Sequence, residues 1–356
     1  MNNDKIAPKQ AIIIFMLSSG LVNHVMVIPV LLEVSGRDAW VSVVFTSFLY
    51  AGWIVFLYWI VKNMNGAPFF EWISERFGSF LAWLLSLMVA IFLFLMMFIT
   101  FKDTLTWTIT SYFPQTPIII LGLLFAVIGY ICASSNIQSL AISAAVILFF
   151  VLILGFFVMT ANFMYKDYTR LFPIFEKGVS PALRGIIYIG GGLAEMALII
   201  FLQHRISPSI RLKSMLLLGL ILVVLTLGPL IGSITIFGVS EASHQRYPAY
   251  EQWRLLQIGK YISHVDFFSI YQWLSGTLIR ISILLYLIAD LFPIQTSHRK
   301  WLLRILSLLL VATSLKRIGD AELYSFIKHI YFPAALCFFI SLSLLMGLFI
   351  FIKREG

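Results

Sequence analysis

The stretch Ile189-Gly190-Gly191-Gly192-Leu193-Ala194-Glu195 is the most informative part of this chain, because it places three consecutive glycines and a carboxylate inside the apolar run from Gly185 to Leu202. A run of about 18 residues is long enough to cross most of a bilayer core of about 30 Å as a helix. Three consecutive glycines, however, remove about 3 kcal/mol of helical preference at one place. The stretch therefore predicts a membrane-spanning helix that is interrupted halfway.

Two interpretations of this interruption remain open. Backbone groups exposed at membrane depth are tolerated only where they are buried in protein or line a cavity, and an intramembrane carboxylate such as Glu195 is by default functional. This favours a ligand site at the break. The alternative is a glycine patch that lets two helices pack closely, with Glu195 hydrogen-bonded across the contact.

The composition is typical of a polytopic membrane protein. Hydrophobic residues make up 60% of the 356 residues and charged residues only 12%, whereas a soluble domain has roughly 25% charged residues. The net charge of +9 comes from basic residues between apolar runs. They lack the interleaved aromatics of a nucleic-acid surface, so no nucleic-acid partner is expected. Cys132 and Cys337 both lie in apolar runs and predict neither a disulfide framework nor a metal cluster.

Hydropathy predicts ten membrane-spanning helices in a single transmembrane domain over residues 1–356. An even number of spans places both termini on one side. Basic residues are almost evenly divided between the two sides, but the loop from Gln203 to Lys213 has three of them and no acid, so we expect cytoplasmic termini. The predicted spans are about 10–33, 40–61, 79–101, 117–132, 138–161, 185–202, 214–236, 268–290, 301–315 and 325–352.

The first span has an irregularity of its own. Polar residues and a glycine interrupt it at Ser18-Ser19-Gly20-Leu21-Val22-Asn23-His24, and Pro29 follows. The first and sixth spans are equivalent positions of two five-span halves, about 9–161 and 185–352. Paired interruptions at such positions indicate an inverted-repeat fold with a site between two broken helices. For His24 alone, the alternative is a histidine that packs between helices.

The eighth span contains an intramembrane charge and two hydroxyl groups. Ser282 and Tyr286 are four residues apart and share a helix face, whereas Arg280 points elsewhere. We expect Ser282 and Tyr286 to line a cavity or, alternatively, to hydrogen-bond to a neighbouring helix. A buried arginine pairs with an acid or with carbonyl groups, or extends to the interface.

The longest loop, from Gly238 to Asp266, mixes aromatic residues with charges. This mixture predicts a helical lid over the outer mouth of the protein. The aromatic residues concerned are Tyr247, Tyr250, Trp253 and Tyr261.

Taken together, these residues resemble the B subunits of spore germinant receptors, which are endospore germination proteins of the amino acid-polyamine-organocation transporter superfamily. The resemblance covers nearly the whole chain and all ten spans. It rests on His24 to Pro29 running into Gly36-Arg37-Asp38-Ala39-Trp40, on Leu171-Phe172-Pro173-Ile174-Phe175-Glu176-Lys177-Gly178, on the Gly-Gly-Leu-Ala-Glu sequence at 191–195, and on Arg280 to Tyr286.

The resemblance implies an all-α polytopic membrane protein with ten transmembrane helices in a five-plus-five inverted repeat, of which helices 1 and 6 are broken. It also implies a nutrient-sensing subunit in the spore inner membrane that binds a germinant, typically an amino acid. Such a subunit works with an A subunit and a C lipoprotein subunit. The implied partners are therefore a small-molecule germinant, these two subunits and membrane lipid.

The resemblance further implies a pocket at mid-membrane between spans one, three, six and eight. Because Glu195 is an intramembrane acid beside the interrupted helix, we expect it to act in gating or coupling. Many relatives have Gly-x-Gly in the first span, where Val22 and His24 stand here. The usual grip of free backbone amides on a carboxylate is therefore in question, and with it the class of germinant. The matching ligand-binding positions are Gly20, Asn23, His24, Gly190, Gly191, Gly192, Leu193, Ser282 and Tyr286.

Two other functions compete with the receptor. A secondary transporter would move its amino acid across the membrane with the same fold. A channel would pass water or ions along a polar path through His24, Glu195 and Tyr286. An enzyme is not expected, because the chain has no phosphate loop, no helical His/Glu pair with metal-ligand spacing and no nucleophile elbow. No cofactor is expected either.

Overall fold

The computed structural model describes residues 5–257, 264–316 and 318–352. These residues form α-helices joined by loops, short 3₁₀ turns and one isolated β-bridge. The first half of the chain contains α1 (Pro8–Leu21), α2 (Val27–Ser35), α3 (Ala39–Met64), α4 (Phe69–Phe77), α5 (Ser79–Ser111), α6 (Ile118–Ser134) and α7 (Ile137–Ala161). The second half contains α8 (Ser180–Leu193), α9 (Ile199–Leu202), α10 (Leu212–Phe237), α11 (Val239–Ala242), α12 (Pro248–Arg254), α13 (Phe267–Asp290), α14 (Thr296–Leu315), α15 (Asp320–Phe326) and α16 (Phe332–Ile352).

Seven stretches of the described residues are long and apolar enough to cross a membrane. The prediction of an all-helical membrane protein is thereby confirmed. The first stretch, Pro8–Met64, has 57 residues, more than twice the length of one crossing, and Gly36 with a φ of 55° divides it into the first two predicted spans. Helix α6 is shorter, with 17 residues, and α14 begins with charged residues, so the ten-span inverted repeat stays a prediction.

Three of the long helices change pitch along their length. A π-helical segment, Val22–Met26, joins α1 to α2, and a second, Ile327–Tyr331, joins α15 to α16. The 3₁₀ segment Ala194–Leu198 joins α8 to α9. A proline follows each π segment within three residues, at Pro29 and Pro333. Because proline has no amide hydrogen, it removes one backbone hydrogen bond and favours a local change of pitch.

The prediction that the sixth span breaks at its glycines is wrong in detail. Residues 190–192 are α-helical, and the change of pitch begins only at Ala194. A Cβ atom on Gly191 would overlap the carbonyl oxygen of Phe332, and one on Gly192 would overlap Oδ1 of Asn23. Close packing of α8 against its neighbours therefore offsets the poor helical propensity of glycine here.

The helices divide into a central group and a peripheral group. In Ser180–Arg205, 83% of the most apolar window is buried, whereas in Ile137–Tyr165 the share is only 11%. The sixth predicted span is therefore at the centre of the fold, and α7 presents most of its surface to lipid. Helix α8 packs against α3, α16 and α2, while α1 packs against α13, α7 and α10.

Both ends of the bundle have ordered connections. On the side of the N-terminus, the amide of Ile6 donates to the carbonyl of Arg205 at 2.8 Å and its carbonyl accepts from Ser207 at 2.9 Å. On the opposite side, the predicted lid contains α11 and α12. Its Tyr261 lies outside the described residues.

Candidate functional site

A buried ion pair lies where the sixth and eighth predicted spans meet. Nη1 of Arg280 is 2.6 Å from Oε2 of Glu195, and Nη2 is 2.7 Å from Oε1, so the contact is bidentate. Both side chains are 0% exposed. Charges at membrane depth are costly unless they are paired, and this pair therefore belongs to the interior of the bundle.

Three further side chains or backbone groups complete the hydrogen bonding of the pair. Tyr331 donates to Oε1 of Glu195 at 3.0 Å. Nε of Arg280 donates to the hydroxyl of Thr100 at 2.8 Å, and Nη1 also donates to the carbonyl of Ser18 at 3.2 Å. The pair thus connects α1, α5, α13 and two of the segments in which the helical pitch changes.

Asn23 joins the π segment of the first span to the glycines of the sixth. Its Nδ2 donates to the carbonyl of Ser19 at 2.9 Å and to the carbonyl of Gly192 at 3.3 Å. Gly192 is one helical turn before Glu195, and Ser19 follows Ser18, whose carbonyl accepts from Arg280. Asn23 and the ion pair are therefore parts of one polar centre, which we call the central cluster: Ser18, Ser19, Asn23, Thr100, Glu195, Arg280 and Tyr331.

The other predicted ligand residues of the first span have a different environment. Nδ1 of His24 is 3.3 Å from the carbonyl of Leu225, and a Cβ on Gly20 would meet Leu225 at 3.4 Å. Both positions therefore face α10 and not the sixth span. His24 contacts a neighbouring helix, as the alternative interpretation expects.

The predicted residues of the eighth span are also separated from one another. The hydroxyl of Ser282 donates to the carbonyl of Leu278 in its own helix at 2.7 Å. Tyr286 is buried beneath Arg299, whose guanidinium carbon is 4.6 Å from the ring centroid. In the sixth span, Leu193 is fully buried, and a Cβ on Gly190 would meet Leu336 at 3.1 Å.

Arg299 belongs to a charged site on the side of the N-terminus. There Asp290 accepts from Arg205 through two hydrogen bonds of 2.5 and 3.1 Å and is 2.8 Å from Nε2 of His204. A cavity of about 260 Å³ lies beside these residues. Tyr286 therefore contacts a residue that lines this cavity.

A row of polar side chains extends from the central cluster towards the side opposite the termini. Asp320, Tyr324, Lys328 and Tyr331 follow one another in the helical stretch that runs from α15 into the π segment Ile327–Tyr331. Tyr324 and Lys328 both donate to the carboxylate of Glu33, at 2.7 and 2.6 Å.

This row ends at a larger cavity of about 800 Å³, which we call the vestibule. Arg246, from the loop between α11 and α12, lines the vestibule and contacts Asp103 at 2.5 Å and Asp320 at 3.2 Å. Burial lowers the pKa of Arg246, but Asp103, Tyr247 and Asp320 raise it, so that its pKa lies above the ordinary value. Arg246 is thus a charged clasp that joins the lid to α5 and α15.

The chemistry of the central cluster is that of recognition by charge and hydrogen bonding. It offers one carboxylate, one guanidinium, hydroxyl groups and an amide. Among the described residues, no group of three or more His, Cys, Asp or Glu side chains could hold a metal ion. The groups of the cluster can pair with charges and exchange hydrogen bonds.

Sequence reasoning did not pair Glu195 with Arg280, and it missed Tyr331, Thr100 and Ser18. The rule that a buried arginine pairs with an acid was available, and Glu195 is one of few intramembrane acids. The pair could therefore have been proposed from composition alone. Tyr331 carried no such signal, because a tyrosine near a proline in an apolar span is common.

Comparison with known proteins gives the chain its family. The model of a family described as "Spore germination protein" matches residues 5–321. Spore germination protein XB of Bacillus anthracis is 39% identical over 339 residues, which are 95% of each chain. Spore germination protein KB of Bacillus subtilis (strain 168) is 22% identical over 267 residues, which are 71% of this chain and 69% of the relative. This integral membrane protein therefore belongs to the spore germination protein family.

Proposed function

We propose that this protein is the germinant-sensing B subunit of a spore nutrient receptor and that its germinant is an amino acid. The observation that carries the proposal is the central cluster: a fully buried carboxylate and guanidinium where the first, third, sixth and eighth predicted spans meet. Buried ionisable groups inside a membrane protein mark ligand or ion sites by default. Membership of a germination family gives such a site its biological context.

The proposed ligand site lies at mid-membrane between these four spans. The contact of Asn23 with Gly192 supports it most directly, since it joins the two irregular helices. Leu193 and Gly191 are neighbours of this contact, and Glu195 would couple occupancy to signalling. The remaining positions in the proposed site are Gly20, His24, Gly190, Ser282 and Tyr286.

The proposed architecture is one transmembrane domain of ten spans, in which α1–α7 and α8–α16 are inverted repeats. In its support, the first long helix of each half changes pitch, at Val22–Met26 and at Ala194–Leu198. Paired irregularities at equivalent positions are the feature that transporters of this type share. We further propose residence in the spore inner membrane, cytoplasmic termini, and assembly with an A subunit and a C lipoprotein subunit.

Signalling would require the germinant to bind two arrangements of the helices with different affinity, because a ligand shifts an equilibrium only by that difference. The central cluster joins several helices through few side chains. A ligand that alters these contacts would therefore change how the helices pack.

A germination screen tests the proposal. Spores whose only germinant receptor contains this subunit are exposed to the twenty proteinogenic amino acids, sugars and nucleosides, and loss of refractility is measured. We expect an amino acid to trigger germination, and Glu195→Gln spores with normal protein levels to respond poorly. A response to sugars or nucleosides alone would contradict the amino acid, and no response to any nutrient would contradict the receptor.

Secondary transport is the second candidate, because a cavity lies at each end of the bundle. Such a pair of cavities suits alternating access to a central site. Uptake of labelled amino acids into proteoliposomes distinguishes the two functions. Concentrative uptake by the purified subunit would favour the transporter over the receptor.

A further inference from the structure

Two polar atoms of the central cluster have no hydrogen-bond partner among the described residues. They are Oδ1 of Asn23 and Oγ of Ser19. Both side chains are fully buried, on the same face of the first span and one helical turn apart. A buried polar atom without a partner is unfavourable, and each such atom in a native protein calls for an explanation.

The surroundings of these two atoms indicate what their missing partner is. Asn23 contacts Gly192 in the helical turn that precedes Glu195, and Ser19 is next in sequence to Ser18, the residue whose carbonyl accepts from Arg280. Carboxylate and hydrogen-bond acceptors together form a suitable environment for an ammonium group.

We propose that the germinant is recognised as a zwitterion that replaces the contact between Glu195 and Arg280. Its ammonium group binds Glu195, Asn23 Oδ1 and Ser19 Oγ, and its carboxylate binds Arg280. This inference rests on the proposed function and adds to it the ligand class and the groups that bind each end of the ligand. In this arrangement the carboxylate of the ligand is bound by the side chain of Arg280 and not by free backbone amides.

Charge balance favours this exchange over the binding of an ion. An isolated anion or cation would leave one buried member of the pair without its opposite charge, which is strongly unfavourable. A zwitterion supplies both charges, so each member of the pair keeps a partner and the net charge of the site stays the same. The two orphan acceptors gain donors at the same time.

The exchange also changes the protein around the ligand. Tyr331 donates to Glu195 and lies in the π segment that carries Lys328 one turn away. When Glu195 turns to the ammonium group, this hydrogen bond must adjust. The occupied site therefore differs from the empty one in its contact with the π segment Ile327–Tyr331, which is the differential interaction that signalling needs.

Ligand analogues test the inference with the unchanged, full-length protein. Thermal denaturation in detergent is measured with each of the twenty proteinogenic amino acids, since a ligand that binds the native state raises the midpoint. The amide and the N-acetyl derivative of each stabilising amino acid follow. We expect stabilisation by at least one amino acid and loss of it in both derivatives.

Each other outcome overturns the inference. If the derivatives stabilise as well as the parent amino acid, the zwitterion is not what the site recognises, although an amino acid sensor remains. If none of the twenty stabilises the protein, recognition of a zwitterion is wrong. The germination screen then decides separately whether the proposed sensing function survives.

A matched pair of variants tests the orphan atoms. In Ser19→Ala, loss of a hydroxyl without a protein partner leaves the thermal midpoint of the empty protein unchanged or raises it. Binding of the stabilising amino acid is expected to weaken about tenfold, as for the loss of one hydrogen bond to a charged group. The control is Ser86→Ala, which removes another buried hydroxyl without a partner, in α5 and outside the central cluster.

Three results with these variants would contradict the proposed role of Ser19. Equal affinity in Ser19→Ala and Ser86→Ala would exclude Ser19 from the ligand site. A lower thermal midpoint of empty Ser19→Ala would assign the hydroxyl a structural role. If Ser19→Ala cannot be purified, its hydroxyl stabilises the empty protein and the orphan argument fails, while the analogue measurement still decides the ligand class.

Discussion

Tyr331 donates a hydrogen bond to Oε1 of Glu195, the same oxygen that Nη2 of Arg280 contacts. The phenol thereby attaches the π segment Ile327–Tyr331 to the buried ion pair. In the same helical stretch, Lys328 and Tyr324 bind Glu33 at the vestibule. One helical stretch therefore contacts both the central cluster and the vestibule.

Removing the hydroxyl group of Tyr331 tests the contribution of its hydrogen bond to Glu195. Tyr331→Phe deletes one buried hydrogen bond to a charged group, which contributes about 1.5–3 kcal/mol. We expect a lower thermal midpoint, protein still present in spores, and a shifted dose-response midpoint for germination. Tyr324→Phe is the control, because its bond to Glu33 lies nearer to solvent. Equal effects of the two changes on germination would contradict a special role of Tyr331.

The energetics of the ion pair can be measured with a double-mutant cycle. Glu195→Gln leaves Arg280 buried without a counter-charge, and Arg280→Met does the same to Glu195. Each single change is expected to cost about 3–5 kcal/mol, whereas the double variant retains no unpaired charge and recovers most of the stability. Thermal denaturation of the four purified proteins gives the interaction free energy between Glu195 and Arg280. Additive losses would show that the two residues do not depend on each other.

The double variant also separates stability from function. If it is stable and present in spores but unresponsive to germinant, the pair acts in signalling or binding. Normal germination of such spores would show instead that the pair serves packing alone.

Hydropathy was sufficient to locate the long helices, because each predicted span coincides with a helical segment. Burial within the bundle was harder to predict. The glycines at 190–192 indicated weak helical propensity, but propensity is a small term that tertiary packing overrides. The contact of Gly191 with Phe332 depends on α16, which lies more than a hundred residues away, and no local pattern encodes it.

The site was predictable only in part for the same reason. Asn23 does donate to the carbonyl of Gly192, so the two irregular spans are in contact, and Glu195 follows one turn later in the sixth span. Ser282 and Tyr286 were grouped because four residues separate them on one helix. A shared face does not fix depth, however, and one turn places Tyr286 beside Arg299 near the other cavity.

The packing role of the glycines predicts a sharp contrast between two similar substitutions. Gly191→Ala places a Cβ against the backbone carbonyl of Phe332, which cannot move as a side chain would. Gly52 is also helical, and its Cβ would meet nothing within 4 Å. We expect Gly191→Ala to lower abundance and thermal midpoint, and Gly52→Ala to be neutral or to stabilise by up to about 1 kcal/mol. Equal stability would contradict close packing at Gly191.

Topology can be checked with single cysteines in a Cys132→Ser/Cys337→Ser background. Ser243→Cys lines the vestibule, and Lys213→Cys lies on the side of the N-terminus. A maleimide that cannot cross membranes should label Ser243→Cys in intact cells and Lys213→Cys only after lysis, if the termini are cytoplasmic. The reverse pattern would invert the proposed orientation, and labelling of both in intact cells would contradict a bilayer between them.

The same reagent measures how the clasp at Arg246 controls access to the vestibule. Arg246 joins the lid to Asp103 and Asp320, and its guanidinium also lies 4.5 Å from the ring centroid of Tyr247. Arg246→Gln leaves Asp103 buried without its cation, so the lid should separate from α5 and admit water to that carboxylate. We expect faster maleimide labelling of Ser243→Cys in this variant and a changed germinant dose-response midpoint.

Arg254→Gln provides the matched control for this experiment. Arg254 is exposed and pairs only with Glu251 in its own helix, among the contacts of the described residues. Such a surface ion pair contributes only about 0–1 kcal/mol to the stability of the folded protein. Its loss should therefore leave the labelling rate of Ser243→Cys unchanged. Because both substitutions remove one positive charge from the lid, a general electrostatic effect on the reagent would accelerate or slow labelling in both variants equally. A difference confined to Arg246→Gln therefore identifies the clasp itself as the barrier to the vestibule.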